Sequence, residues 1–253
     1  MPTFINNNIS LHYEIHGTGS PVLLLHGAAV SFKYNYAQFG WIEELTNQGF
    51  QVIGLDFRGH GESDKPVDSD SYGTINLSND VIALIKHLKF DKVSLVAYSI
   101  GTAIALNLLH TNPKYFSKSV LMATGDGLLG FPPFILDTML PGLAQVFSFE
   151  KLPADLPAHV AAYWNFTNEI GAKKESMIAL ASAKYPHLSV EDAATIDIPT
   201  LVISGEQDVV LGTGERLAQS LTNGHYLEIP DADHLTLASD SRTRVAAIDF
   251  LKK

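Results

Sequence analysis

The sequence predicts an α/β fold built on a mostly parallel sheet flanked by helices, and three observations carry that prediction. Short apolar runs rich in Val, Ile and Leu recur at 21–25, 51–55, 92–97, 119–123, 200–204 and 225–229. Segments with helical spacing separate them, which is the rhythm of parallel strands joined by crossover helices. Hydrophobic residues make up 46% of the 253 residues and charged residues 17%, ample for one buried core.

Two leading strands at 4–5 and 11–15 flank the Asn6-Asn7-Asn8 turn. The compact run at 21–25 ends at His26-Gly27-Ala28-Ala29, and a helical segment over 37–48 stops at Gly49. The strand at 51–55 leads into Asp56-Phe57-Arg58-Gly59-His60-Gly61, a glycine-rich loop. Apolar residues at 77, 81, 84, 85 and 88 place a helical stripe within 76–88. The strand at 92–97 runs toward Ser99 and a helix over 101–110, which ends near Asn112-Pro113.

After the strand at 119–123 the rhythm breaks. Between Gly125 and Pro199 lie paired prolines, several aromatic residues and helical patterns with no evident strand. An insertion at the carboxyl ends of parallel strands lies where ligands bind, so residues from about 126 to 196 are expected to form a helical lid on a single domain spanning 1–253. Strands at 200–204 and 225–229, with helices from about 214 to 221 and 241 to 251, complete the series.

A net charge of −10 argues against nucleic acid or an anionic membrane as partner, because both reward clustered Lys and Arg. The chain has no cysteine, which excludes disulfides, thiolate metal sites and cysteine nucleophiles. The first residues show no basic region followed by an apolar stretch, and no apolar run approaches the ~18–20 residues of a membrane span. A cytoplasmic protein acting on a small molecule is expected.

Ala97-Tyr98-Ser99-Ile100-Gly101 is one methyl group away from G-x-S-x-G, which presents a serine on a sharp strand-to-helix turn. A serine hydroxyl is a weak nucleophile. It needs a histidine base, a carboxylate to hold that imidazole, and N–H groups aimed at the developing oxyanion. The chain offers these parts in the order of a hydrolase sheet. Ala28, after the 21–25 strand, and Ile100, at the start of a helix, are the candidate oxyanion-hole donors; Asp208 and His234 each follow a later strand. Taken singly, Ser99 reads as a helix cap, Asp208 as a solvated turn residue and His234 as an exposed loop histidine. Their joint occurrence at strand ends, in that order, makes Ser99, His234 and Asp208 the candidate catalytic residues.

By these residues the chain resembles the α/β-hydrolase superfamily over essentially its full length. Leu25-His26-Gly27, the Asp-x-Arg-Gly-His-Gly-x-Ser-Asp stretch from Asp56 to Asp64, the turn at Ser99, Gly205-Glu206-Gln207-Asp208 and Asp233-His234 all match its pattern. The likeness is closest to the small-cap esterases, lactonases and cofactor-free perhydrolases. It implies an eight-stranded, mostly parallel sheet with the lid inserted after the sixth strand; the chemistry expected of Ser99, His234 and Asp208 needs neither cofactor nor metal. In the family the stretch around Arg58, His60 and Asp64 is structural rather than catalytic. Ala97 and Thr102 stand where the family commonly has glycine, and the serine at 99 argues against its aspartate-nucleophile members.

Gly125-Asp126-Gly127-Leu128-Leu129-Gly130 fits G-x-G-x-x-G. A dinucleotide site is rejected there, because Phe131-Pro132-Pro133 stands where the helix should begin and Asp126 would repel phosphate. Asp126 follows the sixth strand and is the reserve candidate for the acid. Asp231, Asp233 and His234 lack a second histidine at ligand spacing, so no metal is expected. Leu128, Leu129, Phe131, Phe134, Phe147 and Trp164 are available to line an apolar pocket. The expected activity is hydrolysis of a small to medium apolar carboxylic ester or lactone through an acyl-enzyme. A hydroxynitrile or carbon–carbon lyase using the same residues, and a non-catalytic receptor on the same fold, remain alternatives.

Overall fold

A computed structural model of the chain describes residues 2–131 and 135–253. Its strands are β1 (Thr3–Asn6), β2 (Ile9–His16), β3 (Ser20–Leu25), β4 (Phe50–Leu55), β5 (Val93–Tyr98), β6 (Phe116–Met122), β7 (Thr200–Gly205) and β8 (Gly224–Ile229). They form one eight-stranded sheet in the order β1-β2-β4-β3-β5-β6-β7-β8. The β1–β2 and β2–β4 pairs are antiparallel, and every later pair is parallel. Strands β5 and β7 are buried along their whole length, which is why their apolar runs are continuous rather than alternating.

The helices are α1 (Phe32–Asn35), α2 (Trp41–Asn47), α3 (Gly73–His87), α4 (Ile100–Thr111), α5 (Ile135–Ser148), α6 (Ala158–Glu169), α7 (Lys174–Ala181), α8 (Val190–Ala193), α9 (Glu215–Ser220) and α10 (Ser241–Lys252). Successive strand residues point to opposite faces, and the core divides accordingly. Leu23, Leu25, Leu95 and Ala97 pack in one layer with Leu77 and Val81 of α3 and Ile104 and Leu108 of α4. Val22, Leu24, Val96 and Tyr98 pack in the other with Trp41 and Leu45 of α2 and Ala247 and Leu251 of α10. Trp41 is fully buried, and its indole N–H donates to Ala238 O at 2.9 Å, joining segments 197 positions apart.

Two helical expectations need correction. The segment at 37–48 is not one helix, because Gly40 takes φ 84 and separates a 3-10 turn at Ala37–Phe39 from α2. Helix α3 starts at Gly73, ahead of the expected 76, because its first turn precedes the apolar stripe that begins at Leu77.

Between β6 and β7 the chain forms a 3-10 turn at Asp126–Leu129 and then α5 to α8, with no strand among the described residues. Phe147 of α5 and Met177 of α7 pack with Ala29 in a small cluster of their own. The inserted helices therefore rest on the loop that follows β3. Leu128, Leu129 and Phe147 are buried in packing, and the Arg216 guanidinium lies 4.3 Å from the Phe131 ring centre. Trp164 stays partly exposed, and Phe134 lies outside the described residues. Among the described residues no helix is long and apolar enough to cross a membrane.

Candidate active site

Strand β5 delivers Ser99 at the turn into α4 with φ 52 and ψ −121. A residue with a side chain avoids that region, at a cost of about 1–3 kcal/mol, unless its surroundings over-determine it. Here they do. Ser99 N donates to Met122 O of β6 at 3.0 Å, while Thr102 donates to Ser99 O from its N at 2.8 Å and from its Oγ1 at 2.5 Å. Gly101 abuts β3, where a Cβ would stand 2.7 Å from Leu25 O and 2.8 Å from His26 O, so no larger residue fits. Ala97 is fully buried between Leu25 and Leu121 in the sheet register, and its methyl belongs to the apolar layer under α3 and α4. The turn accommodates the departure from glycine.

Ser99 occupies the N-cap position of α4, yet its side chain makes no capping bond. Its Oγ lies instead 3.0 Å from His234 Nε2. His234 Nδ1 lies 2.9 Å from Asp208 Oδ2, and Asp208 is buried, with Oδ1 accepting from Val210 N at 2.9 Å. An ionised carboxylate only accepts, so the imidazole carries its proton on Nδ1 and turns the Nε2 lone pair to the serine hydroxyl. The three side chains stand on loops at the carboxyl ends of β5, β8 and β7.

The hydroxyl of Tyr98 donates to the His234 carbonyl, so the residue before the serine holds the histidine loop. Burial, helped by the nearby Asp208 carboxylate, pushes that hydroxyl far above its ordinary pKa, and it remains a donor. Sequence reasoning missed Tyr98 because the motif leaves that position free.

Asp126 is not brought to His234. Its Oδ1 accepts from Leu217 N at 2.9 Å and caps the first turn of α9. Asp233 is likewise a loop cap, with Oδ1 receiving Leu235 N, Thr236 N and Thr236 Oγ1, while Asp231 N donates to Glu206. Among the described residues no group of three or more His, Asp or Glu is placed to hold a metal ion. A cavity of about 180 Å³, lined among others by Thr74, Leu106, Asn107, His110 and Asp192, shares no lining residue with Ser99, His234 or Asp208.

The loop after β3 passes beside the serine, since a Cβ on Gly27 would lie 3.4 Å from Ser99 Cβ. Side chains hold its peptide groups. Gly27 N donates to Asn35 Oδ1 at 2.7 Å, Gly27 O accepts from His26 Nδ1 at 2.7 Å, and Ala29 N donates to His60 Nε2 at 3.0 Å. Among the described residues, the Ala28 and Ile100 N–H groups meet no acceptor.

The Asp56–Asp64 loop supports this arrangement from behind. The Arg58 guanidinium is buried against Asp80 of α3, with Nε to Oδ2 and Nη2 to Oδ1 both at 2.7 Å, and Asn6 Nδ2 donates to the same Oδ1 at 2.7 Å. Asp80 was not among the expected residues. Asp64 Oδ2 accepts from Ser10 N at 2.7 Å.

His26 and His60 are buried with ring centres 4.8 Å apart. Each accepts one backbone N–H and donates to one backbone carbonyl, so both are neutral. Burial lowers the pKa of both, that of His60 to about 3 from 6.5. Below pH 6.5 the unfolded chain binds protons that the folded chain refuses, and stability falls with pH toward 3. From pH 7 to pH 5, His60 alone is expected to remove about 2 kcal/mol, and His26 acts in the same direction. Urea unfolding at the two pH values measures this.

A serine held at a strained strand-to-helix turn above a sheet of this order defines a class, the α/β hydrolases. Comparison with known proteins agrees. The model of the alpha/beta hydrolase fold family matches residues 20–186. The chain is 30% identical to a Synechocystis sp. protein with non-heme chloroperoxidase in its name, over 89% of this chain and 88% of that one. It is 29% identical to the Pseudomonas putida 2-hydroxy-6-oxononadienedioate/2-hydroxy-6-oxononatrienedioate hydrolase 1, over 89% of each. Among solved structures, a thermophilic esterase from Thermogutta terrifontis gives a TM-score of 0.73 at 25% identity, covering 99% of this chain and 96% of that one. The chain belongs to the α/β-hydrolase fold family.

Proposed function

We propose that the chain is a serine hydrolase that cleaves a small to medium apolar carboxylic ester or lactone through an acyl-enzyme. The observation that carries this reading is the unbroken hydrogen-bonded run from Ser99 Oγ through His234 to buried Asp208. Ser99 Oγ attacks the acyl carbon while His234 Nε2 takes the hydroxyl proton, and Asp208 stabilises the imidazolium. The carbonyl π electrons move onto oxygen, and the Ala28 and Ile100 N–H groups donate hydrogen bonds to the oxyanion so formed. Collapse expels the alkoxide, which takes the proton from His234. Water deprotonated by His234 then attacks the acyl-enzyme, and the carboxylic acid leaves as Ser99 recovers its proton. The scheme draws on no cofactor or metal.

The insertion at 126–196 serves as a lid in this reading, supported by the packing of Phe147 and Met177 on Ala29. An ester substrate is favoured by the esterase among the similar structures, and an apolar one by Val209 and Leu235, 81% and 51% exposed and adjacent in sequence to Asp208 and His234.

A fluorophosphonate probe is expected to add its mass at Ser99, and short p-nitrophenyl esters or lactones to turn over in a panel that includes thioesters and cyanohydrins. An unmodified Ser99, or turnover of cyanohydrins alone, would overturn the reading. Asp208→Ala is expected to lower kcat by about 10⁴-fold, the scale of losing the residue that orients a catalytic imidazole. Asp126→Ala is expected to leave kcat near wild type and to cost about 1 kcal/mol of stability through the α9 cap. Steady-state kinetics and thermal melts of the pair separate the two carboxylates.

A further inference from the structure

The inserted helices meet the loop after β3 through a polar contact as well as an apolar one. Tyr163, within α6, donates its hydroxyl to Ala28 O at 2.9 Å. Its ring packs with the cluster of Ala29, Phe147 and Met177, 6.2 Å from the Phe147 ring centre.

The Ala28 carbonyl and the Ala29 N–H belong to one planar peptide unit. Tyr163 holds its oxygen, and His60 Nε2 holds its N–H at 3.0 Å. One partner comes from the inserted helices, the other from the loop behind β4. Ala29 sits at φ 57 and is buried, although it is not glycine. A left-handed residue with a Cβ costs about 1–2 kcal/mol, and such a conformation lasts only where the surroundings impose it. With the hydroxyl gone, the unit keeps a single polar anchor and Ala29 can relax. The preceding peptide unit, which carries the Ala28 N–H, has its Gly27 oxygen held by His26 Nδ1 at 2.7 Å and shares the Ala28 Cα, so the aim of that N–H is set by His26 on one side and by the Ala28–Ala29 unit on the other.

We propose that Tyr163 is a positioning residue: its hydroxyl fixes the Ala28–Ala29 peptide and so aims the Ala28 N–H at the oxyanion. Docking of α6 and completion of the oxyanion hole are then one event, and the segment that covers the site also sets its competence. This rests on the serine-hydrolase reading. Burial raises the Tyr163 hydroxyl far above its ordinary pKa, so the contact persists across the working pH range and the strut adds no ionisation of its own to the rate profile.

The test is Tyr163→Phe, which keeps the ring against Phe147 and Met177. For a short p-nitrophenyl ester, kcat is expected to fall about ten- to hundredfold, less than the ~10²–10³ that follows deletion of an oxyanion donor. KM is expected to stay within about threefold, because ground-state binding is untouched. The rate of Ser99 phosphonylation should fall with kcat, and amide hydrogen exchange read by mass over 27–30 should quicken. If the fold needs support, Ala29→Gly in the same background supplies it, since glycine takes φ 57 without strain. A raised KM with unchanged kcat would make Tyr163 a substrate contact and overturn the proposal. Unchanged kcat and exchange in an active protein would overturn it while leaving the hydrolase reading intact. A wild-type protein inert to both esters and probe would remove that reading and this role together.

Discussion

Ser99→Ala is expected to reduce ester hydrolysis by about 10⁴-fold or more in kcat, with the protein still folded. The size follows from what is lost and what stays. On the proposed mechanism, loss of Oγ leaves no acyl-enzyme to form and no proton for His234 to take, whereas the Ala28 and Ile100 N–H groups would still polarise a bound carbonyl. Serine hydrolases stripped of a catalytic residue keep about 10³–10⁴-fold catalysis over water from such groups, and fall by up to about 10⁶ from wild type. Ser99→Gly gives a second, independent readout. The backbone at φ 52 and ψ −121 is strained for any residue with a Cβ and open to glycine. The glycine variant is therefore expected to be equally inactive yet more stable, by about 1 kcal/mol. Rates on a p-nitrophenyl ester and melting curves of both variants check the pair. Wild-type turnover by Ser99→Ala would reassign the nucleophile.

Asp80→Ala is expected to be the most destabilising of these single changes, by about 3–5 kcal/mol. Asp80 is fully buried and receives two hydrogen bonds from Arg58 and one from Asn6. Its removal strands a guanidinium inside the protein with, among the described residues, only the Ser71 carbonyl, at 2.7 Å from Nη1, still bonded to it. Replacing both partners, as in Arg58→Met with Asp80→Leu, should cost less than either single change because no buried charge is left unpaired. Urea unfolding of the three variants tests the order. At temperatures where Asp80→Ala stays folded its kcat should lie near wild type, since its role is to brace the loop that carries His60.

The sheet was legible because parallel strands covered on both faces are buried along their length, as β5 and β7 are, and so read as runs that are mostly apolar rather than alternating. That Ser99, Asp208 and His234 come together was legible for a different reason. Polar residues at the carboxyl ends of such strands point where the chain has no core to fill, so their order along the sequence carries information. Asp80 was not legible, because a single carboxylate in a helical stripe looks solvated until Arg58, 22 positions away, is folded against it. The choice between Asp126 and Asp208 also depended on tertiary placement. Both follow strands, and only the approach of α9 gives Asp126 another partner. Tyr163 left no pattern at all, since its partner is a backbone carbonyl 135 positions away.

The burial of Trp41 has a practical consequence for following the molecule in solution. The chain contains two tryptophans. Trp41 is sealed in the core with its indole bonded to Ala238 O, so its emission should shift to the red only when the early helices and the last loop part company. Trp164 sits partly exposed on α6 and should respond to the inserted segment alone. With Trp164→Phe and Trp41→Phe as single-reporter forms, a pair of fluorimeter traces in rising denaturant reads the sheet core of the protein and its inserted helices as separate signals.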